Sequence, residues 1–233
     1  MSVILEYKDI NKSFGEKQVL KNINLKIDSN KKIGLLGKNG SGKSTLFKLA
    51  NDLLTATSGE VLIDGKPISS ETKKLVSYLP ERTYLNASMK VSDAVNFFAD
   101  FYEDFDREKA ERLLADLQLD KNMRLSKMSK GMKEKVQLVL VMSRNAKIYI
   151  LDEPLGGVDP ASRDYILQTI LKNFNQDATL LISTHMIADI EKILDEVIFI
   201  DEGKIVLQEN ANELRKKENG TIDEIFRRKF YVR

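Results

Sequence analysis

Apolar and polar residues alternate near the start of the chain. Residues 4–7 and 19–27 place an apolar side chain at nearly every second position, the latter as VLKNINLKI. A period of two is typical of strands that bury one face. We therefore predict a small, largely antiparallel sheet here, with a turn at residues 28–31 after its second strand.

A second pattern, the short and almost wholly apolar run, predicts strands that are buried on both faces. Such runs lie at residues 33–36, 148–151, 179–182 and 197–200. Two further strand candidates occupy residues 60–63 and 76–79, with a turn predicted at residues 64–67. The alternation of these runs with helical patterns indicates a doubly wound core that contains a parallel sheet.

The middle of the chain has helical periodicity. From about residue 91 to residue 143, apolar residues recur every three or four positions. Two sets have the spacing of one buried helix face: Val91, Ala94, Val95 and Phe98, then Ala110, Leu113, Leu114 and Leu117. We interpret this stretch as a helical insert.

Further helix starts are indicated by capping residues. Asp159 precedes a proline, which the first turn of a helix tolerates, and two S/T/N-x-x-E patterns begin at Asn210 and Thr221. Residues 211–233 are therefore predicted to form a short C-terminal helical extension. With 233 residues and 42% hydrophobic content, the chain suits one α/β domain over residues 1–233.

Charge and composition narrow the partners and the compartment. The 37 Lys and Arg residues nearly balance the 35 Asp and Glu residues, so the net charge of +2 does not favour a nucleic-acid partner. The chain has no cysteine, its first residues do not resemble a signal peptide, and its apolar runs are too short to span a bilayer. We expect a cytoplasmic protein; any membrane-spanning part would belong to another chain.

The strongest chemical signal is the phosphate-binding pattern G-x-x-x-x-G-K-[ST], which lies between a predicted strand and a predicted helix. It consists of Gly37, Lys38, Asn39, Gly40, Ser41, Gly42, Lys43 and Ser44, with Thr45 as the next helical residue. Glycines let backbone N–H groups converge on a polyphosphate, and a helix N-terminus favours an anion. We predict that Lys43 reaches the β- and γ-phosphates and that the Ser44 hydroxyl binds Mg²⁺.

Two carboxylates follow the apolar run at residues 148–151. Asp152 stands where a contact to Mg²⁺ is required beside a phosphate loop, and Glu153 is placed to orient and deprotonate an attacking water. A strand that ends in Asp-Glu is common by chance and alone would more often be structural. Its pairing with the phosphate loop favours the catalytic interpretation.

Together with further segments in the same order, these motifs resemble the nucleotide-binding subunits of ATP-binding cassette (ABC) proteins, over essentially the whole chain. The segment LSKMSKGMK, residues 125–133, resembles the family signature. The resemblance implies that Ser129 and Gly131 contact the γ-phosphate across a dimer. The alternative for this segment is a plain helix capped by Ser129.

The resemblance extends to three more residues. Asp159 matches the acidic residue of the loop that touches the opposite subunit, and His185, the chain's single histidine, matches the histidine that contacts the γ-phosphate. Phe14 matches the aromatic that stacks on adenine, although an apolar anchor in the N-terminal sheet is nearly as plausible. For His185 the alternative is a partly buried polar residue at a strand end.

The chain departs from the family pattern at two places. Glu81 stands where most members carry a glutamine that contacts metal or water, and it adds negative charge near the triphosphate. Lys130 stands in the signature where glycine is commoner. These variants resemble the exporter branch of the family.

The resemblance implies the ABC ATPase fold: an α/β P-loop NTPase core with a parallel sheet, an N-terminal antiparallel β-subdomain and a helical insert. It implies an ATP- and Mg²⁺-dependent hydrolase, paired with a second copy or a paralogue. It would drive export through a separate membrane permease, at the inner face of the cell membrane. Residues 82–90 and the aromatics of residues 97–105 are candidates for the surface that contacts the permease, with core packing as the alternative for each aromatic.

Two other functions remain open from the sequence. One is a soluble ABC ATPase that acts on the ribosome or DNA, although such proteins resemble two fused cassettes or a cassette split by a coiled coil. The other is a regulatory module that binds nucleotide without hydrolysis. Glu81 and the altered signature favour this module, whereas the Asp152-Glu153 pair opposes it.

Overall fold

Two sheets organise residues 2–231, the part of the chain that this computed structural model describes. The strands are β1 (Val3–Phe14), β2 (Lys17–Asp28), β3 (Lys32–Leu36), β4 (Ser58–Ile63), β5 (Lys66–Pro67), β6 (Val76–Leu79), β7 (Ile148–Asp152), β8 (Thr179–Thr184), β9 (Glu196–Asp201) and β10 (Lys204–Asn210). One sheet has the order β2-β1-β4-β5 and the other β10-β9-β3-β8-β7-β6.

The helices lie between and after these strands. They are α1 (Lys43–Ala50), α2 (Ser70–Lys74), α3 (Val91–Phe101), α4 (Arg107–Asp116), α5 (Lys130–Met142), α6 (Pro160–Asn173), α7 (Ile187–Ile190), α8 (Ala211–Glu218) and α9 (Ile222–Phe230). Short 3₁₀ turns occupy Leu125–Lys127 and Glu191–Ile193. No helix within residues 2–231 is long and apolar enough to cross a membrane.

The N-terminal sheet is antiparallel, as its alternating pattern predicts. Its first two strands are longer than the alternating pattern indicates. Irregularities in their pairing allow the strands to continue through polar residues. Asp9 and Asn22 have positive φ angles of 50° and 49°, and the register shifts between Tyr7 and Ile10. Such bulges let pairing continue where strict alternation stops.

The central sheet pairs β9, β3, β8, β7 and β6 in parallel, and its apolar runs are buried on both faces. In β7, Ile148 and Ile150 face a core shared with the N-terminal sheet and α1, whereas Tyr149 and Leu151 face a core shared with the helices. Successive side chains on a strand point to opposite faces, so a continuous apolar run serves two cores. The predicted α/β fold is confirmed.

Two strands and one helix of the sheet region, β5, β10 and α2, escape the sequence analysis. The predicted turn at residues 64–67 ends in a two-residue strand, β5, and α2 starts from a capping box between Ser69 and Thr72. The edge strand β10 pairs antiparallel with β9 after a tight turn in which Gly203 has a φ of 77°. Exposed and half-exposed residues alternate along β10, and this pattern is a weaker sequence signal than the buried apolar runs of the other strands of this sheet.

Helix predictions agree with the structure in position and in buried face. The apolar positions predicted for α3 and α4 are all buried, together with Leu117 beyond the end of α4. Asp159 caps α6 by accepting from Ser162 N at 3.1 Å, and Asn210 and Thr221 cap α8 and α9. Residues 232 and 233 of the predicted extension, and residue 1 of the predicted domain, lie outside the described residues.

A buried arginine joins the helical region to the central sheet. Arg144, at the end of α5, makes a bidentate ion pair with Asp104 at 2.9 and 3.0 Å. Its guanidinium also donates to Val76 O at 2.7 Å and to Lys74 O at 2.6 Å, and stacks 3.8 Å from the Tyr102 ring. The loop between α3 and α4 is thereby attached to the start of β6.

Candidate nucleotide-binding and hydrolysis site

The candidate site lies at the carboxyl edge of the central sheet. β3 leads into the phosphate loop, and β7, β8 and β6 end beside it at Asp152, Thr184 and Leu79. Because these strands are parallel neighbours, residues that are distant in the sequence meet at one edge. Ligands of open α/β sheets bind in this position.

The phosphate loop needs its glycines for two reasons. Gly40 and Gly42 have φ angles of 80° and 113°, a region that other residues rarely adopt. A Cβ on Gly37 would lie 2.5 Å from Ile200 O, so only glycine fits against β9. Within residues 2–231, the buried Ser41 hydroxyl oxygen has no hydrogen-bond partner, as suits a group that binds a ligand oxygen.

Lys43 is buried with its amine inside the loop. Its Nζ donates to Gly37 O at 2.8 Å and to Lys38 O at 3.2 Å, and lies 3.7 Å from Glu153 Oε1. Burial lowers the pKa of Lys43, and the negative charges of Glu153 and Asp152 oppose that effect. The amine is therefore held among oxygens at the start of α1.

Asp152 is buried at the end of β7. Burial raises the pKa of this carboxyl, while hydrogen bonds with Ser183 and Ser44 act in the opposite direction. Ser183 Oγ donates to Asp152 Oδ1 at 2.5 Å. The predicted pair of Mg²⁺ ligands, Asp152 and Ser44, is thus adjacent.

Glu153 adopts a left-handed backbone conformation, with φ at 51°. Its amide donates to Ser183 O and Ser183 Oγ, both at 3.1 Å. Its Oε2 lies 2.9 Å from His185 Nδ1, and its other oxygen faces Lys43. The turn thus aims the carboxylate between Lys43 and His185, beside the phosphate loop.

The strand ends open into a cleft of about 1230 Å³. From the phosphate loop, Asn39, Gly40, Gly42, Lys43, Ser44 and Thr45 line it. Glu81, Asp152, Glu153 and His185 line it from the neighbouring strand ends. The negative charge of Glu81 raises the pKa of Asp152 and opposes the lowering at Lys43, as expected for a carboxylate near both groups.

Beyond the phosphate loop, four predicted residues do not line this cleft. Phe14 is exposed at the end of β1, beneath the Lys12 amine at 4.8 Å, so it is not a core anchor of the N-terminal sheet. Ser129 caps α5 through Met132 N at 3.2 Å, and Gly131 lies beside Gly157 O. Asp159 is exposed at its cap. Ser129, Gly131 and Asp159 therefore remain predictions for a contact with a second subunit.

Lys38 belongs to the phosphate loop, but its side chain points elsewhere. Its Nζ donates to Phe230 O at 2.5 Å and stacks on the Tyr231 ring at 4.7 Å. The C-terminal helix α9 therefore contacts the phosphate loop. Only the backbone of Lys38 takes part in the phosphate loop, where its carbonyl accepts from Lys43 Nζ.

Sequence reasoning missed two polar residues of the site. Ser183 joins Asp152 to the Glu153 amide, and the buried Gln137 donates to Pro80 O at 3.2 Å and accepts from Tyr84 N at 3.3 Å. The sequence shows these two residues only as polar positions at apolar runs. Gln137 interrupts the run 136–142, and Ser183 follows the run 179–182.

The donor set fits a magnesium ion that arrives with a nucleotide. Within residues 2–231, no group of three or more His, Cys, Asp or Glu side chains could hold a metal by itself. Mg²⁺ usually takes one or two carboxylates and completes its shell with waters and phosphate oxygens. Asp152 and the Ser44 hydroxyl would provide the protein's ligands for such an ion.

The family model described as ABC transporter matches residues 20–156, more than half of the chain, and the protein belongs to this family. Within the family it is an ATP-binding subunit. A solved ATP-binding subunit of an ABC transporter is 26% identical, with a TM-score of 0.85 over 96% of this chain and 98% of that one.

Two more relatives are similar over nearly their whole length. CbiO1 from Clostridium perfringens, part of the ABC transporter complex CbiONQ, is 27% identical with a TM-score of 0.73, over 100% of this chain and 96% of that one. The lantibiotic transport ATP-binding protein SrtF from Streptococcus pyogenes is 28% identical, over 91% of this chain and 95% of its own. The family binds ATP, typically with Mg²⁺, and hydrolyses it.

Proposed function

We propose that this chain hydrolyses ATP and drives export through a separate membrane subunit. The observation that carries the proposal is the position of Glu153, whose carboxylate lies between Lys43 and His185 beside the phosphate loop. A general base needs hydrogen-bond reach to the attacking water, and this carboxylate is fixed on both sides. Glu81, at the edge of the same cleft, provides a further contact to the metal or to water.

The chemical step is attack of water on the γ-phosphate. Glu153 orients the water and accepts its proton, while Lys43 stabilises charge on the phosphate oxygens. His185 holds Glu153 and contacts the γ-phosphate. Ser44 and Asp152 would hold Mg²⁺, which would supply positive charge to stabilise the phosphate oxygens.

Two subunits complete the site in this proposal. Ser129 and Gly131 are exposed or half-exposed at the start of α5, so a second copy or a paralogue can present them to the nucleotide held here. Asp159 contacts the opposite subunit, and Phe14 stacks on the adenine. An isolated subunit should therefore hydrolyse ATP slowly.

Two relatives and one exposed surface support a membrane partner and a role in transport. SrtF is a transport protein by name, and CbiO1 is part of a transporter complex. On α3 the predicted aromatic surface divides: Phe98 is buried, whereas Phe97 and Phe101 are exposed and stacked at 6.0 Å. We propose this exposed pair as permease contact, which would place the subunit at the inner face of the cell membrane.

The test of hydrolysis is Glu153→Gln, which keeps the shape of the side chain and removes the base. We expect ATP binding to persist, turnover to fall by at least about 100-fold, and an ATP-dependent dimer to accumulate in size-exclusion chromatography. The matched control is Glu213→Gln, an exposed carboxylate on α8. Wild-type turnover in the Glu153 variant would refute its assigned role.

The test of the membrane partner uses the tagged Glu153→Gln protein in its native cell, solubilised with ATP. A polytopic membrane protein that copurifies, and is lost with Phe97→Ser and Phe101→Ser but retained with Leu53→Ser, would support the proposal. Leu53 is a comparably exposed apolar residue outside α3. Ribosomal or DNA-associated proteins would instead favour the soluble ATPase.

A further inference from the structure

Ser183 connects the two carboxylate residues of the site. It lies on β8 directly opposite Asp152 in the parallel register, and its side chain is fully buried. Its Oγ donates to Asp152 Oδ1 at 2.5 Å and accepts from Glu153 N at 3.1 Å. The Ser183 hydroxyl thus donates its single proton to Asp152 and accepts, through a lone pair, from the amide of Glu153.

We propose that Ser183 is a positioning residue for metal-dependent hydrolysis. The bond to Oδ1 fixes the rotation of the Asp152 carboxylate, because turning it would break a charge-assisted hydrogen bond inside the protein. Ser44 also hydrogen-bonds with this carboxylate. Ser183 therefore determines how Asp152 is presented to Mg²⁺. This inference rests on the proposed hydrolysis of ATP.

The second contact of Ser183 acts on Glu153. A left-handed backbone at a residue other than glycine is strained and persists only when its surroundings hold it. Ser183 supplies both acceptors for the Glu153 amide, through its carbonyl and its hydroxyl. Because this backbone turn aims the carboxylate at Lys43 and His185, the hydroxyl also supports the geometry of the base.

A buried serine can also serve folding alone, and the chain offers a matched control. Ser77 lies on β6 of the same sheet, is 1% exposed, and donates to Val141 O at 2.9 Å. It is a buried hydroxyl with one backbone acceptor and no bond to a carboxylate. Ser183→Ala and Ser77→Ala should both lower the stability, because each removes a buried hydroxyl from this sheet, and only Ser183→Ala should change the metal response.

The experiment measures binding of a fluorescent ATP analogue to the full-length variants in EDTA and across a Mg²⁺ titration, followed by turnover. For Ser183→Ala we expect affinity in EDTA within about 2-fold of wild type, and a rise of about 10-fold in the Mg²⁺ concentration that gives half of the metal-dependent change. Ser183→Thr, which keeps the hydroxyl, should restore the wild-type metal response. Ser77→Ala should not alter it.

Thermal unfolding of every variant separates a loss of overall stability from a change in the orientation of the Asp152 and Glu153 carboxylates. If Ser183→Ala responds to Mg²⁺ like wild type and only melts earlier, as Ser77→Ala does, the inference is overturned. If the wild-type protein binds ATP and Mg²⁺ but does not turn ATP over, the proposed hydrolysis fails instead. A normal metal response of Ser183→Ala in a protein that Glu153→Gln inactivates would refute the role of Ser183 alone.

Discussion

The arginine that joins α5 to the central sheet should be a main support of the helical region. In Arg144→Met the aliphatic stem is retained, but Asp104 loses its bidentate partner and two backbone carbonyls lose their donor. The Arg144 side chain is 3% exposed and that of Asp104 is 27% exposed, so solvent can repay only part of the loss.

The expected loss in the free energy of unfolding follows from these contacts. Each carbonyl bond is worth about 1 kcal/mol, and the ion pair, discounted for the exposure of Asp104, about 1–2 kcal/mol. The free energy of unfolding should therefore fall by about 3–4 kcal/mol, at the lower end of what breaking a buried pair costs. With an m-value of about 3 kcal/mol/M, the urea midpoint should drop by about 1 M.

Urea unfolding followed by circular dichroism measures this shift. The control is Arg227→Met, which removes the exposed pair between Arg227 and Asp223 on α9 and should cost less than about 0.5 kcal/mol. A midpoint for Arg144→Met within about 0.2 M of the control would show that Asp104 and the carbonyls do not depend on this side chain.

Two further changes test the loops and caps. Gly203→Ala should cost at least about 2 kcal/mol in urea unfolding, because φ is 77° and the new Cβ would lie 2.1 Å from Val19 O; Gly15→Ala, at positive φ in open space, should cost only about 1 kcal/mol. Hydrogen bonds from Thr221 lower the pKa of Glu224 from its ordinary 4.5, so their stabilisation is present above that pH and is lost as the pH falls through the lower folded value. Glu224→Gln, which removes the titrating carboxyl that accepts from Thr221 N, should remove this contribution to the acid dependence of thermal unfolding between pH 6 and about pH 3, and an unchanged dependence would contradict the assignment.

Local patterns predicted the elements because the determining forces act within a few residues. An apolar run such as residues 148–151 can be buried on both faces only inside a sheet, and Gly42 before Lys43 marks a turn into a helix. Where irregularity interrupts the pattern, as at Asp9 in β1, the predicted strand is too short. The edge strand β10 was missed because half of its residues face solvent.

Contacts between distant segments were not readable in the same way. The sequence places aromatics at residues 97–105, but the packing of α3 alone decides that Phe98 is buried and Phe101 is exposed. Lys38 looks like any other loop residue until α9 is seen to cover it. Such contacts depend on the register and packing of whole elements.

The sequence by itself determined the fold class, the phosphate loop and the acidic pair Asp152 and Glu153, because each is encoded in consecutive residues whose backbone geometry and polarity are local. Only the tertiary structure decided that Ser183 bonds to both of them. That contact exists because β7 and β8, about thirty residues apart in the chain, are parallel neighbours whose carboxyl ends meet at one edge.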